Sequence, residues 1–269
     1  MNCRRIFWKY CKNLGFLRYN LLMLLTIDVG NTNIVFGLFE QEKLILKHRQ
    51  ATQKTSLDFL KPSLAKKIDQ IIVASVVPGV DARLAKKLKQ KIKKNPHFIS
   101  ARDFAGRLKL KVRENEVGAD RLVNVYAAHI LYKASAIIID FGTATTFCAL
   151  EKNGGYLGGA IAPGINLARE ALHKKTAKLP LIEFNPVPRA IQSRTKGAMQ
   201  SGLFFGYLSM VEGMVRKFKE ELKDSFFNRV KVIATGGLAK TFAEHCEIFD
   251  IVDDDLTLKG LQLCQSFLK

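Results

Sequence analysis

No Cys-x-x-Cys pair occurs in this 269-residue chain, although it carries five cysteines (Cys3, Cys11, Cys148, Cys246, Cys264). That argues against a thiol-redox or zinc-ribbon site and for reduced thiols, buried or incidental, in a cytoplasmic protein. The five histidines show no His-Glu-x-x-His or other metal spacing. No stretch reaches the roughly 18 apolar residues of a membrane span, and no Gly-x-x-x-x-Gly-Lys-Ser/Thr run exists, which excludes a P-loop. Acids are scarce: 24 Asp+Glu face 43 Lys+Arg, for a net charge of +19. Such a balance fits a nucleic-acid surface or merely solvated, lysine-rich helices. The densest run, residues 83–94, sets Leu84, Leu88 and Ile92 four apart, so its lysines surround one apolar stripe of an exposed helix. No aromatic interleaves them, as single-strand binding would require, so no specific nucleic-acid binding is expected.

What is present is enough apolar material, 48% of the chain, for two cores. Residues 1–22 stand apart, with Arg4, Arg5, Lys9, Lys12 and Arg18 and no acid. Polar residues interrupt any signal-peptide core there. The segment reads as a start codon placed too early or a disordered tail; a basic membrane-surface anchor is the other reading. It is left out of the fold.

The chain then repeats itself. Residues 25–38 (LTIDVGNTNIVFGL) match 137–150 (IIIDFGTATTFCAL) at an offset of 112, placing Asp28 on Asp140, Gly30 on Gly142 and Thr32 on Ala144. Each is an apolar strand ending in Asp-x-Gly, a small polar turn, then a second apolar strand. A second pair follows in the same order, with 71–79 (IIVASVVPG) on 230–238 (VKVIATGGL). Two matches in register order mean duplication. The expected architecture is α/β, with domains at 23–117 and 118–269. Strands are expected near 24–29, 32–39, 43–49, 71–75, 97–99, 108–112, 136–140 and 144–150. Helices are expected near 57–68 and 81–93, from Asp120, and over 197–221. The last, in a segment peculiar to the second copy, should present Met199, Leu203, Tyr207, Met210, Met214 and Phe218 on one face. Its Gly202 and Gly206 would admit another helix.

Four loops can do chemistry. In Asp28-Val-Gly-Asn-Thr-Asn33, a glycine-opened turn offers backbone N–H groups to a phosphate, while the carboxylate would hold Mg²⁺ or its water. The same residues could form a plain hairpin turn. The twin at Asp140 favours the site reading, since two such loops across a cleft would clamp a polyphosphate. Thr235, Gly236 and Gly237 end a strand before a helix and suit close contact with a nucleotide. Gly154, Gly155, Gly158, Gly159 and Gly164 form a glycine-rich, mobile or closely packed wall. Asp120 and Arg121 occupy the first turn of a helix. Asp120 alone would be an ordinary cap, but a cation is disfavoured there, so Arg121 calls for an external anion.

With these motifs the chain resembles the type III pantothenate kinases, the family related to Bvg accessory factor. DVGNTN at 28, GADR at 118, DFGTAT at 140, GGAIAPG at 158, TKGAMQSG at 195 and TGG at 235 occur in that family's order. The resemblance runs from about Met23 to the C-terminus. It implies duplicated ribonuclease H-like, actin-like ATPase domains with a cleft between them. It also implies ATP-dependent phosphorylation of pantothenate to 4'-phosphopantothenate, the first step of coenzyme A biosynthesis. By position, Asp28, Val29, Gly30, Asn31, Thr32, Asn33, Ile34 and Val35 would hold ATP with its Mg²⁺, as would Thr143. Gly118, Ala119, Asp120, Arg121 and Thr195 would hold pantothenate, with Asp120 as general base. Asp140 would bind a monovalent cation, potassium or ammonium, and the protein would be a homodimer. One position departs: where the family carries a Tyr lining the pantothenate pocket, this chain has Lys111. The rival readings are another small-molecule kinase of the same fold and a non-catalytic, basic nucleic-acid-binding regulator.

Overall fold

The computed structural model describes residues 23–222 and 230–268; the basic leader at 1–22 lies outside them. The first half builds β1 (Leu24–Val29), β2 (Asn33–Glu40), β3 (Lys43–Ala51), α1 (Pro62–Ala65), β4 (Gln70–Ser75), α2 (Pro78–Ile92) and β5 (His97–Phe98). Then come β6 (Lys109–Leu110), α3 (Ala119–Tyr132), β7 (Ala136–Phe141), β8 (Ala144–Leu150), β9 (Gly155–Pro163), α4 (Ile165–Lys174) and α5 (Thr195–Glu221). The chain closes with β10 (Lys231–Gly236), α6 (Ala239–Ala243), β11 (Ile251–Val252) and α7 (Leu256–Leu263).

The duplication is visible in the sheets. One has the order β3-β2-β1-β4-β5, the other β11-β10-β7-β8-β9-β6, so five strands of each follow one plan. In both, the hairpin is antiparallel and the following strand joins its first strand in parallel. The register corrects the sequence alignment twice. Asp28 pairs with Val35 and Asp140 with Thr146, because the second turn is one residue shorter. Past the turn the offset is therefore 111, and Thr32 corresponds to Thr143 rather than Ala144. Likewise Asp28 lies beside Ala74 and Asp140 beside Thr235, which moves the β4–β10 match by two residues. A two-residue slip keeps every side chain on its own face, so the apolar pattern could not detect it.

Strand alternation sorts side chains into three layers. Leu25, Ile27 and Val29 face outward with Leu84 and Leu88 of α2. Ile137, Ile139 and Phe141 face outward with Phe204, Val211 and Val215 of α5. Leu24, Ile72 and Ala74 of one sheet and Ala136, Ile138 and Ile233 of the other face inward onto α3 and α7. Gly260 lets those two helices meet, since a Cβ there would lie 2.6 Å from the Val123 carbonyl oxygen. By the same period of two, Asp28 and Asp140 fall on the inward faces.

Three expected elements differ. The 57–68 helix shrinks to α1, because Lys61 before Pro62 is held extended (ψ 142°). The glycine-rich stretch is the strand β9. Gly159 serves its close pairing, for a Cβ would sit 1.7 Å from the Phe147 carbonyl oxygen. The 108–112 strand, β6, pairs with β9 in the second sheet, outside the first copy's sheet. On α5, Met199, Leu203 and Tyr207 are buried as expected. Val211 and Val215 then take the deepest positions and leave Met210, Met214 and Phe218 half-buried. No helix of the described residues is long and apolar enough to cross a membrane.

Candidate active site

The two polar turns meet. Thr32 and Thr143, equivalent in the duplication, place their hydroxyls 2.8 Å apart across the cleft. Each turn is braced by its own half. Thr52 donates its hydroxyl to the Gly30 carbonyl at 2.6 Å and its N–H to the Thr32 carbonyl at 3.0 Å. Gly164 donates its N–H to the Thr143 carbonyl at 3.1 Å. A Cβ on Gly164 would sit 2.2 Å from that oxygen, so glycine is required there.

Three carboxylates from three elements share the inner layer. Burial pushes Asp28 well above the ordinary carboxylate range, and Asp120 and Asp140 push it further, while Arg49 opposes them. Asp140 rises to about 6, from burial first and Asp120 second; the Asn124 amide and Arg49 hold it back. Asn124 donates to Asp140 at 3.1 Å and accepts from the Thr257 hydroxyl at 2.8 Å, a chain linking β7, α3 and α7. Gly236, at φ +89°, presents its backbone to the other side of this carboxylate.

Asp120 is governed by burial more than by its helix. A helix N-terminus should depress its pKa, yet burial raises it; the Arg121 N–H, which donates to Asp120 Oδ1 at 2.8 Å, offsets this only in part. Among the described residues Arg121 forms no ion pair, although the charge of Asp120 reaches it. Its Nε donates to Cys148 Sγ at 3.4 Å, its guanidinium lies 5.9 Å from the centre of the buried Tyr156 ring, and Cys148 lies 3.5 Å from the Tyr156 hydroxyl. Beside Gly118 and Ala119 opens a cavity of about 430 Å³, lined also by Ser75, Val76, Glu116 and Val117. That volume suits a small organic acceptor. Lys111 turns away into an ion pair with Glu151 at 3.0 Å. Thr195 opens α5 on an exposed surface, and no described hydrogen bond ties it to the carboxylates.

Two residues escaped the sequence reading, Arg49 and Asn124. Asn124 carried a usable signal as the lone amide in an apolar helix, four residues after Asp120. Arg49 carried only its alternation with Lys47 along β3.

Two polar turns in contact across a cleft, with buried carboxylates between duplicated α/β halves, define a phosphotransferase of the actin-like, duplicated ribonuclease H-like fold. A sequence model described as Type III pantothenate kinase matches residues 24–217. The chain belongs to the type III pantothenate kinase family. The type III pantothenate kinase of Halalkalibacterium halodurans is 42% identical over 253 residues, covering 90% of this chain and 98% of that protein. Two solved structures share the fold. A Baf-family protein of Campylobacter jejuni has 20% identity, a TM-score of 0.57 and coverage of 90% of this chain and 97% of its own. A candidate 2-dehydro-3-deoxygalactonokinase of Sinorhizobium meliloti has 13% identity, a TM-score of 0.53 and the same two coverages.

Proposed function

We propose that this protein transfers the γ-phosphoryl group of ATP to the primary hydroxyl of pantothenate, giving 4'-phosphopantothenate for coenzyme A synthesis. The observation that carries the reading is the placement of Asp120, in the layer where the two phosphate-type turns meet and one residue past Gly118 and Ala119, which line a cavity of about 430 Å³. Phosphoryl transfer passes through a loose transition state, so the protein's task is to position the groups and neutralise charge. The turn from Asp28 to Val35 and the Thr143 hydroxyl cup the polyphosphate. Asp120 accepts the pantothenate hydroxyl's proton; its raised pKa makes it a better base than a surface carboxylate. Arg121, which forms no ion pair among the described residues, binds the substrate carboxylate, together with Gly118, Ala119 and Thr195.

Two metal roles fit the residues present. Asp28 would hold the Mg²⁺ that accompanies ATP. Asp140, ionised against its burial and the nearby Asp120, would hold potassium or ammonium. A division near 117/118, with β6 reaching across it into the second sheet, a cytoplasmic location and a homodimer complete the reading. Exposed Gly202 and Gly206 on α5, with open space around both, support the dimer. The test is ADP release with and without pantothenate in potassium buffer; release independent of pantothenate refutes the assignment.

A further inference from the structure

Arg49 has no task in the scheme above. It sits on β3 opposite Val35, which itself pairs with Asp28, so the three residues form one row across the sheet. Val35 packs into the inner layer, and the row therefore faces the cleft. Lys47, the neighbouring inward cation, is engaged by Asp255 at 2.6 Å. Arg49 donates to no described residue. Its guanidinium instead crosses to the opposite half, with Nη1 3.4 Å from where a Cβ of Gly237 would stand. A bare glycine backbone on that side leaves the fork open. Its charge is felt by both Asp28 and Asp140, on opposite walls of the cleft.

These features describe a cation held between the two halves with its hydrogen-bonding fork unfilled. A nucleotide polyphosphate entering there brings more negative charge to a place that already holds Asp28, Asp120 and Asp140. A planar fork matches phosphate oxygens with paired hydrogen bonds, which a lysine cannot do. We propose that Arg49 is a further catalytic residue, which grips the polyphosphate of ATP from β3 and joins the two halves through the bound nucleotide.

This rests on the cleft being the ATP site, so the experiment separates the two claims. Binding of a non-hydrolysable ATP analogue, of adenosine and of pantothenate is measured by calorimetry on the wild type, Arg49→Gln and Arg49→Lys. If the wild type does not bind the analogue, the nucleotide reading itself fails. If it does, Arg49→Gln should weaken the analogue about ten- to a hundredfold, the scale of a hydrogen bond to a charged group. Adenosine and pantothenate binding should be unchanged, and Arg49→Lys should fall between. Turnover should drop about 10²–10³-fold in Arg49→Gln, as when one donor to developing charge is removed. Because Arg49 is exposed but its charge offsets those of Asp28 and Asp140, Arg49→Lys should melt with the wild type and Arg49→Gln slightly below it at neutral pH. Equal analogue affinity in Arg49→Gln and wild type overturns the proposal.

Discussion

Replacing Asp140 by Asn should stabilise the protein while destroying its activity. Asp140 titrates at about 6 in the folded chain instead of 3.8. A carboxyl raised in this way favours folding below the unfolded value, and that contribution is lost as the pH climbs through the folded one. Above about pH 6 the ionised group thus costs the folded state about 3 kcal/mol, at about 1.4 kcal/mol per pH unit. Water in the cleft screens part of it, so this figure is a ceiling. Asparagine removes the charge and can still accept the Asn124 hydrogen bond. It also relieves Asp28, whose pKa Asp140 helps to raise. At about 2–4 °C per kcal/mol for a chain near this size, the melting midpoint should rise by roughly 5–10 °C at pH 7.5 in buffer free of potassium and ammonium. At pH 4 the gain should shrink towards zero. The assay is thermal melting of both proteins from pH 4 to 7.5, repeated with added potassium, which should stabilise only the wild type. A variant no more stable than the wild type at pH 7.5, or equally stabilised at both ends, refutes the argument.

Three further outcomes follow from the site and its frame. Asp120→Asn should bind ATP and pantothenate in calorimetry yet turn over about 10²–10⁴-fold more slowly, the range for loss of a general base. Near-normal turnover would reduce Asp120 to a helix cap. Arg121→Lys should weaken pantothenate binding and leave ATP affinity unchanged, because a fork becomes a point charge; a reversed pattern in the same titrations would place Arg121 at the nucleotide. Gly159→Ala should cost several kcal/mol, roughly the upper range for a strained core substitution, since the new methyl would overlap the Phe147 carbonyl. Urea unfolding would show it as a lower midpoint.

Much of this was legible in the chain because the duplication prints its most constrained parts twice. The Asp-x-Gly turns had to remain short, polar and glycine-opened, so both stood out. The lengths between them were not legible. One residue is missing from the second turn, and only backbone pairing reveals that Thr32 answers Thr143. The glycines of β9 read as either a mobile or a closely packed wall, because composition does not distinguish glycine needed for freedom from glycine needed for close approach. At Gly159 approach decides; at Gly158, with φ +106°, conformation contributes as well. Arg49 was invisible for another reason. Its partners lie on other strands and in the other half, and no local spacing encodes a row across a sheet.

The pKa of Asp120 shows how tertiary structure reverses a sound local rule. The first turn of a helix stabilises an anion by a fraction of a kcal/mol up to about 2. Loss of water around a carboxylate costs more. Burial therefore outweighs the dipole and the Arg121 N–H together. The helix still matters, since it fixes Asp120 and Arg121 as neighbours and sets Asn124 one turn later against Asp140. In the proposed mechanism one rigid element thus carries the base, the cation for the acceptor and the amide that donates to a second carboxylate. Because α3 packs against both sheets and α7, a substitution that shifts it should disturb proton transfer and cation binding together. That is why the Asp120 and Asp140 variants are informative as isosteric amides.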